Sequence, residues 1–151
     1  MWKFALFADS ISTKHKIMTS TVLYQGNLRT IATHLASGNE IVTDAPIDNH
    51  GRGEAFSPTD LVATALGSCM LTVMGIKAKD LEVDLTGAVI SITKIMGTDP
   101  RRIIEIKVVF ELNEIIVSDK NRTILERTAL TCPVIETLHP DLKKDVVFLW
   151  N

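Results

Sequence analysis

The positions of apolar and polar residues divide the chain into short alternating runs and one long apolar run. Ile17 to Tyr24 is rich in β-branched and apolar types, and Gly26-Asn27 is a turn signal leading into Leu28 to Leu35, so a hairpin is expected. Ser37-Gly38-Asn39 punctuates a third strand, Glu40 to Asp44, which ends at Pro46 and the polar loop Asp48 to Glu54. Ser57-Pro58-Thr59-Asp60 is a strong helix start: Ser is a favoured N-cap, Pro fits the first helical position and Asp three residues on completes a capping box. The helix predicted from Thr59 to Lys79 is about 30 Å long. It carries no charge between Leu61 and Ile76, which predicts burial on nearly all sides, while Ala63, Ala65, Gly67 and Ser68 keep its surface thin.

After this helix come two extended segments, Val83 to Met96 and Ile103 to Leu112, flanking the turn Gly97-Thr98-Asp99-Pro100. Alternation in Val89 to Ile95 and in Ile104 to Val108 gives each strand one wet face. Asp119 to Leu130 has helical spacing with Ser118 as cap, Cys132-Pro133 opens a further helical piece over Val134 to Leu138, and Val146 to Trp150 is the last strand. The order βββ-α-ββ-α-α-β predicts an antiparallel α+β domain over 17–151. Residues 1–16 read as an arm, because the apolar stretch Trp2 to Ala8 ends at Asp9, too early for a signal-peptide core.

With 151 residues, 46% of them hydrophobic and 23% charged, the chain suits one globular unit without a long disordered tract. A formal charge of −2 argues against a protein built to grip nucleic acid, which shows as a basic excess. The apolar runs are broken by Ser, Thr, Gly or charge, so no membrane span is expected. Two cysteines, Cys69 and Cys132, are too few for a disulfide scaffold and too far apart for a C-x-x-C pair, which points to reduced thiols and the cytoplasm.

Cys69 lies in the apolar helix, where most free cysteines are small buried hydrophobes. Cys132 stands before Pro133 at a helix start, where the dipole and free amides are expected to lower a thiol pKa. His34, His50 and His139 have no metal-ligand spacing with the cysteines, so no metal is expected, and no Gly-rich phosphate loop asks for an organic cofactor. Met70 and Met74, one turn apart, read as core packing.

Taken together, Ser57-Pro58 with Leu61, the small-residue stretch ending in Gly67-Ser68-Cys69 eleven residues after the Pro, and the later Cys132-Pro133 resemble the OsmC/Ohr family of thiol-dependent peroxidases. The resemblance covers about residue 20 to 150. It implies an OsmC-like fold, with antiparallel sheets wrapped around long central helices in an intertwined homodimer that carries two interfacial active sites. It also implies that Cys69 is the peroxidatic nucleophile and Cys132 the resolving thiol, with a hydroperoxide as substrate, an external dithiol or thiol as reductant, and no cofactor.

In the hydroperoxide-reductase branch an Arg from the N-terminal strands stabilises the thiolate, oriented by a Glu ten residues before the Cys. That position is Thr59 here, which places the chain nearer the divergent OsmC-like group. Candidate replacements are Arg29 or Arg52 as the cation, with Glu54 or Asp60 as the orienting acid. The alternative for each is ordinary solvated charge. An apolar pocket drawn from Phe56, Leu66, Met70 and Val73 is expected beside Cys69. Two other readings stay open on the same fold: a non-catalytic binder of small hydrophobic ligands or redox sensor, and a structural stress-induced dimer.

Overall fold

The protein is described by a computed structural model over residues 18–151, so the arm expected at 1–16 lies outside the described residues. The described chain divides into two compact units, 18–58 and Thr59–Asn151, where the sequence reads as one domain over 17–151. Each unit has its own sheet.

In the first unit β1 (Ser20–Gly26), β2 (Arg29–His34) and β3 (Glu40–Asp44) form an antiparallel meander in that order. The β1–β2 turn is the two residues Asn27 and Leu28, with φ of 52° and 62°, and Gly26 pairs with Arg29 across it. The Leu28 amide donates to the Tyr24 hydroxyl at 3.3 Å, one partner that holds the second turn residue in this conformation. In β1 the successive side chains Val22, Leu23 and Tyr24 alternate between the two sheet faces, yet all are more than 60% exposed. Neither face is covered along this strand.

All of α1, Pro58–Asp80, but its first residue belongs to the second unit, and the helix starts where the Ser57-Pro58 signal places it. Its buried residues are Ala63, Leu66, Gly67, Met70, Met74 and Ala78. The opposite stripe, Val62, Ala65, Ser68, Thr72 and Ile76, is exposed, so burial on nearly all sides is not realised within the chain. One sheet covers one face. By length and composition alone α1 could cross a membrane, at a mean hydropathy of 1.6, contrary to the expectation drawn from its Ser, Thr and Gly interruptions. Its buried face packs as a core helix does: a Cβ added at Gly67 would stand 2.5 Å from Ile92 Cδ1, so the helix approaches the sheet as closely as glycine allows there.

The strand expected from Val83 begins only at Val89. Glu82, with φ 55°, ends the helix, and the Asp84 carboxylate accepts the Thr86 amide at 2.8 Å, a local turn that competes with extended backbone. β4 (Val89–Thr98) and β5 (Arg101–Glu111) pair antiparallel, and α2 (Asp119–Ala129) is capped by Ser118, whose hydroxyl accepts the Asn121 amide at 3.4 Å. The short α3, Pro133–Thr137, leads to β6, Lys143–Leu149, which adds to β5 in parallel. The all-antiparallel expectation fails at this strand because two helices intervene between β5 and β6, and such a crossover returns the chain in the same direction.

The core of this unit joins Leu66, Met70 and Met74 of α1 to Ile106, Val108 and Phe110 of β5 and Leu125 of α2. Phe110 stacks on Phe148 of β6 with centroids 4.5 Å apart. The Trp150 indole donates to Glu126 Oε1 at 2.7 Å, tying the chain end to α2.

Candidate thiol site

Cys69 sits on α1 between the buried stripe of Leu66 and Met70 and the exposed stripe of Ser68 and Thr72, and it is half-buried. Cys132 follows the last turn of α2, where Leu130 donates its amide to Glu126 O at 3.1 Å and the Thr131 hydroxyl donates to Thr128 O at 2.9 Å. Those bonds hold the chain as it leaves the helix, and Cys132 is fully buried in the core.

The Cys132 sulfur is the N-cap of α3: it accepts the Ile135 amide at 3.4 Å, with Pro133 in the first helical position. Its thiol lies close enough to that of Cys69 for the two to interact. The fold therefore joins two thiols that are remote in sequence. The expectation that the helix start would lower the Cys132 pKa is corrected here. Burial pushes the thiol up and outweighs the Ile135 and Val134 amides, and the Cys69 sulfur adds to the rise. A five-residue helix brings few amides, while full burial removes water from the thiolate.

The charged candidates separate into two clusters. In the first unit the Arg29 guanidinium donates from Nε to Asp44 Oδ1 and from Nη2 to Asp44 Oδ2, both at 2.7 Å, and from Nη2 to Glu54 Oε2 at 2.8 Å. The Glu54 amide also donates to Asp44 Oδ2 at 3.1 Å. Arg29 holds the Asp44 carboxyl below its ordinary value, helped by the Glu54 amide and by the more distant charge of exposed Arg52. The same contacts raise Arg29 further above its ordinary value.

In the second unit Asp60 is the partner of Lys94 on β4, with Nζ–Oδ1 at 2.7 Å, and Lys94 Nζ also donates to the Thr59 hydroxyl at 2.8 Å. Asp60 is therefore engaged by a lysine that sequence reasoning did not single out. Asp44 was missed too, although a signal existed. A hairpin centred on Ala36-Ser37 pairs Thr33 with Glu40 and places Arg29 opposite Asp44, which is the observed register.

Leu66 and Met70, expected as pocket walls, are fully buried in the core, while Val73 is half-buried and Phe56 is exposed in the first unit. Leu66 and Met70 face the sheet that covers α1, so the apolar character that suggested a pocket went into packing. Clefts of about 480 and 410 Å³ lie at the C-terminal end of α1 and beside the start of β4, and neither is lined by a cysteine. Among the described residues no cluster of three or more His, Cys, Asp or Glu could hold a metal ion.

Comparison with known proteins gives a consistent result. The profile of the OsmC-like protein family matches residues 51–146. A Psychrobacter arcticus 273-4 protein named for an osmotic stress induced and detoxification response is 52% identical; the match covers 88% of this chain and 96% of that one, with a TM-score of 0.84. An OsmC like protein from Mycoplasma pneumoniae is 18% identical over 87% of this chain and 94% of its own, with a TM-score of 0.72. An organic hydroperoxide resistance protein OsmC from Legionella pneumophila is 13% identical over 87% and 97%, with a TM-score of 0.67. The last two show likeness of fold. No curated protein matches the chain.

Proposed function

Since the chain belongs to the OsmC-like protein family, we propose that it is a thiol-dependent peroxidase that reduces organic hydroperoxides, with Cys69 as nucleophile and Cys132 as resolving thiol. The observation that carries this reading is the meeting of a half-buried thiol on α1 with a fully buried one at the start of α3. Organic hydroperoxide resistance proteins of the same fold support the substrate class.

The Cys69 thiolate attacks the distal oxygen of the hydroperoxide. The O–O bond breaks, the alkoxide takes a proton and leaves as alcohol, and Cys69 carries a sulfenic acid. The Cys132 sulfur then attacks the Cys69 sulfur, the S–O bond breaks, and water leaves as the disulfide forms. An external dithiol returns both cysteines to thiols by exchange. The cycle draws on protein sulfur and calls on no metal or organic cofactor.

Of the charged candidates, Arg29 is bound by Asp44 and Glu54 and Arg52 is exposed, both within the first unit, and Asp60 is engaged by Lys94 in the second. The working unit in this reading is a homodimer in the cytoplasm, because the exposed stripe of α1, with Ile76 at 65% exposure, and the open faces of β1 need cover from a second copy. Peroxide consumption with a dithiol reductant, followed by peptide mapping for a Cys69–Cys132 disulfide, tests the reading. Consumption without any disulfide would overturn the two-thiol cycle.

A further inference from the structure

We propose that the external reductant opens the oxidised Cys69–Cys132 disulfide at the Cys69 sulfur and expels Cys132 as the leaving group into the amides that begin α3. The inference rests on the two-thiol reading above and adds to it the direction of the reductive step. Thiol–disulfide exchange proceeds by attack of a thiolate along the line of the S–S bond, so the attacked sulfur must be open on the side away from its partner. Cys132 is fully buried between the core and α3, whereas Cys69 stands at the edge of the buried face of α1 and retains surface. Approach to the Cys132 sulfur would require α3 to move aside.

The leaving side has fixed hydrogen-bond donors. As the reductant thiolate bonds to Cys69 Sγ, the Cys69–Cys132 bond breaks and its electron pair passes to Cys132 Sγ. That sulfur already accepts the Ile135 amide at 3.4 Å, and the Val134 amide also lies against it. These N–H donors offset part of the cost that burial sets on a departing thiolate, so access to the attacked sulfur, not the acidity of the leaving one, sets the direction. The charge is transient. Burial favours the neutral form of Cys132, so the proton given up by the reductant ends there as S–H. The second thiol of the reductant then attacks the reductant's own sulfur in the mixed disulfide and frees Cys69. In sum the dithiol becomes a disulfide, and two electrons and two protons pass to the cysteine pair.

This fixes the covalent intermediate on Cys69. The test uses the full chain oxidised with diamide, which joins thiols without peroxide, so the result does not depend on peroxidase activity. The disulfide is mixed rapidly with excess 2-mercaptoethanol, quenched in acid, alkylated with N-ethylmaleimide and mapped by mass spectrometry. The expected result is a mercaptoethanol adduct on the Cys69 peptide in about tenfold excess over one on the Cys132 peptide, with maleimide on Cys132, because access decides which sulfur is attacked. Equal adducts, an excess on Cys132, or failure of diamide to join the two cysteines would overturn the proposal. A chain that consumes no peroxide but opens at Cys69 would remove the peroxidase reading and leave this one standing.

Discussion

Arg29 and Asp44 face each other across the β2–β3 ladder and are joined by two parallel hydrogen bonds of 2.7 Å, the fork of a guanidinium closed on a carboxylate. The carboxylate is also bonded by the Glu54 amide, so the pair fastens the loop before α1 to the meander. The geometry makes Asp44 the fixed partner and exposed Glu54 the exchangeable one.

The Arg29–Asp44 pair makes the first unit sensitive to acid. An acid whose folded pKa is depressed contributes stability above its unfolded value and loses it as pH falls through the folded value. For Asp44 the contribution is whole above 3.8 and disappears below it. Asp44→Asn is expected to lower the melting temperature at neutral pH and to flatten the loss of stability in acid, both measured by thermal denaturation across a pH series. An unchanged acid limb would mean that Asp44 is not the group responsible.

Removing either thiol should stop turnover at a different stage. Cys69→Ser is expected to consume no peroxide, and Cys132→Ser to consume about one equivalent before Cys69 stays as sulfenic acid or a higher oxide. Stoichiometric peroxide titration with intact-mass measurement distinguishes the two outcomes. Steady turnover by Cys69→Ser at the parent rate would remove the nucleophile assignment.

The two thiols should also differ in alkylation. Cys132 is fully buried and its thiol is pushed up by that burial, so at pH 8 iodoacetamide should label Cys69 first and reach Cys132 only as the fold opens. Mapping labelled peptides over time, with and without urea, measures this. Earlier labelling of Cys132 in native protein would contradict the burial described for it.

The uncovered apolar stripe of α1 predicts a dimer in sedimentation at micromolar concentration. Ile76→Glu on that stripe should shift the equilibrium toward monomer, because a carboxylate cannot be buried there without a partner. A parent protein that sediments as a well-folded monomer would count against the homodimer.

Alkyl hydroperoxides should be reduced with higher kcat/KM than hydrogen peroxide. Each buried methylene contributes up to about 0.8 kcal/mol, or roughly fourfold, to transition-state binding. Parallel kinetics with tert-butyl hydroperoxide and hydrogen peroxide decide the order. Equal values would mean that the surface beside Cys69 offers no apolar contact, a real alternative now that Leu66 and Met70 are known to pack inward.

The order of elements, the start of α1 at Pro58 and the Ser118 cap were legible in the sequence because each rests on residues adjacent in the chain: a Ser-Pro pair, a run without charge, a hydroxyl three residues before a free amide. The two cysteines were legible as candidates for the same reason, each through its own neighbours. What the sequence could not supply depends on distance between remote segments and on water. Whether Cys132 is acidified by amides or made less acidic by burial is a contest between a local and a global effect, and only the packing of α2 and α3 on the core decided it. The parallel addition of β6 and the partners of Arg29 and Asp60 belong to the same class. Strand register and the approach of β4 to α1 arise from tertiary packing, which brings together side chains whose separation along the chain carries no trace of it.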